Sequence, residues 1–205
     1  MNTANKHNLN FKNAVNLLPY DGEAFYFPQI FTEAEANSYF QSLLKNILWQ
    51  HDELFIYGKK ITTKRQVAWY GNEGLSYTYS KSTKLALPWT PTLLLIKTTV
   101  EAFCEQSFNS CLLNLYANGK EGMAWHSDSE KELDPNGIIA SLSFGTERIF
   151  QFKHKGSKEI ITKLLAQGSL LLMKQNSQTQ WQHRLPERSA VKEARINLTF
   201  RKIVN

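Results

Sequence analysis

Apolar residues follow two periods along this chain, and the change between them falls near residue 110. Thr32-Glu33-Ala34-Glu35 has the form of a capping box, a hydroxyl at a helix start and a carboxylate three residues later. Tyr39, Phe40, Leu43, Leu44, Ile47 and Leu48 then recur at helical spacing and predict one buried face. Thr90-Pro91 predicts a second helix start, with a cap residue ahead of proline in the first turn. That helix is expected to run towards Phe108 with Leu93, Ile96, Val100 and Phe103 inside.

From Ser110 onward the period shortens to two. Strands are predicted near 110–117, 123–128, 138–145, 148–154, 159–165, 169–173, 179–185 and 195–203. Asn118-Gly119 and Asp134-Pro135-Asn136-Gly137 supply turns, and Gly145 and Gly168 fall between strands. Many short strands without intervening helices argue against a parallel sheet and for a sandwich or jelly roll. The expected class is α+β, with N-terminal helices on a jelly-roll core. The last strand alternates strictly: Arg195, Asn197, Thr199 and Arg201 on one face, Ile196, Leu198 and Phe200 on the other.

A length of 205 residues suits one compact domain, read as a front section over 1–90 and a core over 91–205. Cys104 and Cys111 form neither a CxxC pair nor a disulfide framework, which suits a reducing compartment. No apolar run is long enough to span a bilayer, and the amino terminus lacks the apolar segment of a secretion signal. A cytoplasmic monomer is the expectation. Of the formal charge of +6, residues 56–84 carry most: Lys59, Lys60, Lys64, Arg65, Lys81 and Lys84 against Glu73 alone. Tyr57, Trp69, Tyr70, Tyr77 and Tyr79 are interleaved with these cations. That mixture suits nucleic acid, and it suits equally a solvated basic surface with its aromatics turned inward.

Candidate chemistry centres on His126-Ser127-Asp128. On a strand, residues two apart share a face, so imidazole and carboxylate would converge. One further histidine would complete a two-histidine, one-carboxylate facial triad, which suits iron(II) and leaves coordination positions open. His7 lies in a polar tail, His51 follows the first helix and His154 sits between Lys153 and Lys155. His183, inside a predicted strand, is the candidate third ligand. A structural histidine beside a carboxylate is the plainer alternative. The polar face of the last strand is either a solvent face or the lining of a barrel, where guanidinium forks suit a dicarboxylate. Asn114 and Tyr116 share a strand face ahead of the HxD tripeptide and could reach the same anion.

These segments, taken in order, resemble the AlkB family of iron(II)- and 2-oxoglutarate-dependent nucleic-acid dealkylases. The matching pieces are LSYTYS (75–80), NLY (114–116), HSDSE (126–130), IASLSFG (139–145), the histidine of WQHRL (181–185) and RINLTFR (195–201). The likeness runs from about residue 55 to the carboxyl terminus and is nearest to the DNA-repair branch. It implies a double-stranded β-helix (jelly-roll) core, N-terminal helices and a nucleotide-recognition lid. It implies His126, Asp128 and His183 as iron ligands and catalytic residues, with iron(II), 2-oxoglutarate and oxygen as cofactor and cosubstrates. Arg195, helped by Asn114 and Tyr116, would pair with the distal carboxylate of 2-oxoglutarate. Arg201 would lie near its metal-bound end, and Asn197 would complete the pocket.

On the substrate side, the resemblance gives Tyr77, Thr78 and Tyr79 to the lid over the damaged base, and Ser129 and Glu130 to the base edge. Tyr57, Gly58 and Lys59 fall in a hairpin that could wedge into the duplex, with tyrosine where the related pattern has an apolar aromatic. The implied reaction is hydroxylation of an N-alkyl group on N1-methyladenine or N3-methylcytosine in DNA, followed by loss of formaldehyde. The same polymer chemistry leaves RNA open as a partner. A hydroxylase of peptides or small molecules on the same core, and a non-catalytic nucleic-acid-binding module, are the alternatives.

Overall fold

The computed structural model describes residues 14–56, 59–79, 82–174 and 176–204, with the backbone alone at 54–56, 59–60, 77–79 and 82–84. Chain order begins with β1 (Ala24–Phe27), α1 (Glu33–Asn46), β2 (Gln50–Ile56) and β3 (Lys59–Gly71). β4 (Ser76–Tyr79), β5 (Ser82–Leu85), β6 (Leu87–Pro88) and α2 (Pro91–Cys104) follow. The remainder is β7 (Ser110–Tyr116), β8 (Met123–His126), β9 (Ile138–Gly145), β10 (Arg148–His154), β11 (Ile160–Leu165), β12 (Leu170–Lys174), α3 (Ser177–Gln180), β13 (Trp181–Leu185) and β14 (Arg195–Arg201).

Two sheets form a jelly roll. The larger has the order β1-β12-β9-β14-β7-β3-β2, with β6 beside β3; the smaller has the order β11-β10-β13-β8. A separate hairpin pairs β4 with β5. α1 and α2 cover the outer face of the large sheet. There Ile196, Leu198 and Phe200 of β14 join Leu43, Leu93, Ile96 and Val100 in one buried cluster. Burying that face turns the alternate residues of β14 inward, towards the small sheet. The polar row of the last strand therefore lines the interior and does not face solvent.

Both helix starts follow their sequence signals. Thr32 and Glu35 form the reciprocal capping box, and the Thr90 hydroxyl accepts from Leu93 N–H with proline in the first turn. Each helix ends earlier than the apolar spacing suggests. α1 stops at Asn46, so the buried face narrows to Leu43 with Ile47 just beyond, and Leu44 and Leu48 are exposed. α2 stops at Cys104 because Glu105 turns into the left-handed region (φ 51°), and Glu101 accepts the Phe108 N–H at 2.6 Å.

The main addition is β2 and the thirteen-residue β3, which extend the large sheet with residues from the front of the chain. β3 runs antiparallel to β7, with Val67 opposite Asn114. Its sequence, KKITTKRQVAWYG, hides the strand because polar residues fall on both faces, Lys64 and Gln66 on one and Thr63 and Arg65 on the other, and Arg65 lies beside the cavity. Among the described residues, no helix is long and apolar enough to cross a membrane.

Candidate metal and cosubstrate site

Pairing of β13 with β8 sets His183 opposite His126, and their rings lie 4.2 Å apart, edge to face. Asp128 completes the group: one ligand atom from each of the three residues falls within 4.8 Å of the others. The sequence expectation put His126 and Asp128 on one strand face. The structure corrects this, since β8 ends at His126 and Asp128 follows it outside the ladder. Its backbone N–H goes to the side-chain oxygen of Gln178 (3.0 Å), where a strand partner would otherwise stand.

The donor set fits a divalent metal. His126 Nδ1 lies 2.8 Å from the Ala124 carbonyl, which can only accept, so the tautomer of the ring that can ligate is the one with the proton on Nδ1 and the lone pair on Nε2. That Nε2 is 3.7 Å from Asp128 Oδ1. Burial, and then the neighbouring His126, push the His183 imidazole down to about 3, so it is neutral and able to ligate. Burial would raise the Asp128 carboxyl. Arg201 and the two imidazoles outweigh it and hold the group down to about 2. Phe150 stacks on His183 (5.4 Å between centroids, 24° between planes) and fixes the ring from the protein side.

Beside the trio lies a cavity of about 530 Å³, within the usual range for a small-molecule site. Antiparallel pairing of β14 with β7 brings Arg195 opposite Tyr116 and Asn197 opposite Asn114. All four, with Arg201 and Glu130, line the cavity. Arg195 is 2 % exposed, donates to Ser143 Oγ at 2.9 Å, and leaves its buried Nε without a partner. Among the described residues no carboxylate pairs with it, and burial lowers its pKa to about 10. A buried guanidinium with an unused donor is costly unless an anion meets it. The carboxylate of 2-oxoglutarate fits that requirement. Asn114 Oδ1 accepts from Arg65 Nε (2.9 Å), which turns the Asn114 amide nitrogen to the other side. Asn197 bonds Ser141 and the Leu142 carbonyl and accepts from Thr199, so it supports the floor of the cavity.

Arg201 reaches the ligand cluster. It pairs directly with Asp128, so it contacts a ligand residue as well as lining the cavity. Ser129 is exposed, and Glu130 lines the cavity. Tyr57 and Gly58 lie outside the described residues. For Lys59, Tyr77, Thr78 and Tyr79 only the backbone is described: Lys59 opens β3, and the other three lie on the β4 strand of the separate hairpin.

Sequence reasoning missed three residues here. Gln178 carried no motif, and Arg65 stood only in the basic aromatic stretch, with no cavity role. Arg148, 1 % exposed, donates to the carbonyls of Glu121 (2.8 Å) and Pro186 (2.9 Å), with its guanidinium 5.8 Å from the Tyr116 ring. Its inward place on β10, between Phe150 and the Gly145 turn, was the only available signal.

Residues 23–201 match the family model for the 2OG-Fe(II) oxygenase superfamily. The chain is 40 % identical over 186 residues to the human DNA oxidative demethylase ALKBH2, covering 85 % of this chain and 71 % of that one. It is also 40 % identical over 179 residues to the bovine alpha-ketoglutarate-dependent dioxygenase alkB homolog 3, covering 82 % of this chain and 62 % of the relative. A solved structure of OsALKBH1 superposes with a TM-score of 0.62 at 14 % identity, covering 87 % of this chain and 97 % of the other, which shows the shared fold. A jelly roll with two imidazoles and a carboxylate beside a buried arginine that has no acid partner among the described residues agrees with these matches: the chain belongs to the 2OG-Fe(II) oxygenase superfamily and, within it, to the AlkB family.

Proposed function

We propose that the chain oxidatively dealkylates N-alkylated bases in DNA, with N1-methyladenine and N3-methylcytosine as its lesions and RNA as a further polymer to be tested. The observation that carries this reading is Arg195, buried and with no carboxylate partner among the described residues, in the same cavity as the His126, Asp128 and His183 cluster. One group is built to receive a dicarboxylate and the other a divalent metal. The relatives named as DNA demethylases support the choice of polymer.

His126, Asp128 and His183 would hold iron(II); Arg195, Asn114 and Tyr116 would hold the distal carboxylate of 2-oxoglutarate, above Asn197. When bound, iron(II) with 2-oxoglutarate and oxygen supplies hydroxylation of the alkyl carbon, after which the adduct loses formaldehyde and leaves the base restored. The chain's own residues orient that chemistry. Phe150, Met173 and Leu185 give the cavity an apolar side that keeps bulk water from the reacting carbon. Glu130 places a carboxylate on the wall where a methylated base brings positive charge.

Residues 1–90 would supply an N-terminal extension, a helix and the nucleotide-recognition lid. Tyr77, Thr78 and Tyr79 on β4 would cover the base, Ser129 would border its edge, and Tyr57, Gly58 and Lys59 would enter the stack. Extruding the base costs a few kcal/mol, less where alkylation has already broken its pair. Two free buried thiols, Cys104 and Cys111, suit a cytoplasmic protein, and we take it to act as a monomer.

The test is formaldehyde release from an N1-methyladenine oligonucleotide supplied with iron(II), 2-oxoglutarate and ascorbate, run beside Asp128→Ala. Release by the wild type alone supports the reading. Succinate formation without formaldehyde from DNA or RNA would reject the substrate and keep the oxygenase.

A further inference from the structure

The three ligand residues come from two segments far apart in sequence, 126–128 and 183. Two side chains stitch these segments together. Ser127, between the two ligands of the first segment, donates its hydroxyl to the Trp181 carbonyl at 2.9 Å. Trp181 opens β13 two residues before His183. Gln178, one turn earlier, accepts the Asp128 backbone N–H at 3.0 Å.

The Gln178 amide is held in the orientation this requires. It is 3 % exposed, and its nitrogen donates to Ser177 Oγ (3.1 Å) and faces Met173 Sδ (3.8 Å), so the oxygen is left for Asp128. The short α3 that carries it is anchored in turn by Lys155, whose ammonium donates to the carbonyls of Gln178 (2.9 Å) and Thr179 (2.8 Å). Asp128 lies outside the β8 ladder, and the Gln178 amide holds its backbone there. A bond to the backbone of a ligand residue sets where its carboxylate begins, just as a bond to a ligand side chain sets where it points.

We propose that Gln178, assisted by Ser127, is a positioning residue of the metal centre: it locks the Asp128 segment to the His183 strand, so the three ligands are gathered before metal arrives. The inference rests on the metal-site reading. Losing this lock makes the protein organise the ligands at the expense of binding energy, and such supporting partners are typically worth roughly 10–100-fold in metal affinity.

The experiment is a Kd for manganese(II), a redox-silent stand-in for iron(II), on metal-free protein by calorimetry, with the melting temperature of each variant measured in EDTA. Gln178→Met keeps length and apolar bulk and removes the acceptor. It is expected to weaken manganese(II) roughly 10–100-fold while 2-oxoglutarate-independent folding, read by the EDTA melting curve, shifts little. Ser127→Ala removes only one hydroxyl from a half-buried site and is expected to weaken binding several-fold; it carries the test if Gln178→Met does not fold. Asp128→Ala separates the two levels. If Asp128→Ala abolishes binding while a folded Gln178→Met and Ser127→Ala both bind within twofold of wild type, the lock is wrong and the metal site stands. If Asp128→Ala also binds normally, the metal site is wrong and the lock falls with it.

Discussion

Arg201 directs two guanidinium nitrogens at a single oxygen of Asp128, Nη2 at 2.5 Å and Nε at 3.2 Å. The other oxygen, Oδ1, lies towards His126 Nε2. The arginine thereby divides the carboxylate: one oxygen belongs to the protein and the other to the gathering of ligand atoms. A carboxylate with both oxygens free could chelate the metal and occupy a position that the facial triad leaves open.

Arg201→Gln is expected to lower manganese(II) affinity roughly tenfold, since a buried carboxylate loses its charge partner and its orientation together. Calorimetric titration of metal-free protein checks it. Unchanged affinity would mean that the pair serves stability alone.

Arg195 is the second test. Replacing it with methionine removes the one buried cation of the cavity that lacks an acid among the described residues. The loss of a charge-assisted pair is worth about 3 kcal/mol, or roughly a hundredfold in 2-oxoglutarate Kd. Arg195→Lys should recover only part, because an ammonium lacks the planar fork. The readout is the upward shift of the melting temperature on adding 2-oxoglutarate to manganese-loaded protein. Wild type should show it, and Arg195→Met should not.

Sequence alone reached most of this site because the site sits on strongly patterned strands. β7, β9 and β14 bury an unbroken apolar face against the helices, and the period-two alternation then dictates that Asn114, Tyr116, Arg195 and Asn197 point the other way. β3 carries polar residues on both faces, Lys64 and Gln66 on one and Thr63 and Arg65 on the other, so no alternation marks it, and in the sequence Arg65 reads only as one cation of a basic aromatic stretch. Gln178 was illegible for a different reason: its role depends on a hydrogen bond to a backbone fifty residues away, and no local spacing encodes that.

The two cysteines allow a chemical test. Burial pushes the Cys104 thiol up to about 12, with Glu101 adding to it, and burial pushes Cys111 well above its ordinary range. At pH 8 the Cys104 thiolate is then only about one part in ten thousand, and the thiolate is the reactive form. Native protein is expected to show almost no reaction with a disulfide reagent at pH 8, and two thiols after denaturation. Rapid labelling of the folded chain would show that α2 opens away from β7.

Lys64 and Arg65 are neighbours in sequence and alike in charge, yet the structure separates them. Lys64 is exposed, while Arg65 turns inward and gives its Nε to Asn114 Oδ1 at 2.9 Å. An exposed lysine near the lid can neutralise one phosphate, so Lys64→Gln should weaken oligonucleotide binding and reduce the slope of log K against log salt by about one. Its KM for 2-oxoglutarate should stay as in wild type. Arg65 acts through the amide it orients. In Arg65→Met the Asn114 amide is free to turn, its nitrogen no longer held towards the cosubstrate, and KM for 2-oxoglutarate should rise several-fold with the salt slope preserved. Measuring both quantities on both variants distinguishes the roles. If Arg65→Met lost the salt slope and kept its KM, Arg65 would be a phosphate contact after all, and the orientation of Asn114 would have to come from Asn197 across the β7–β14 pair.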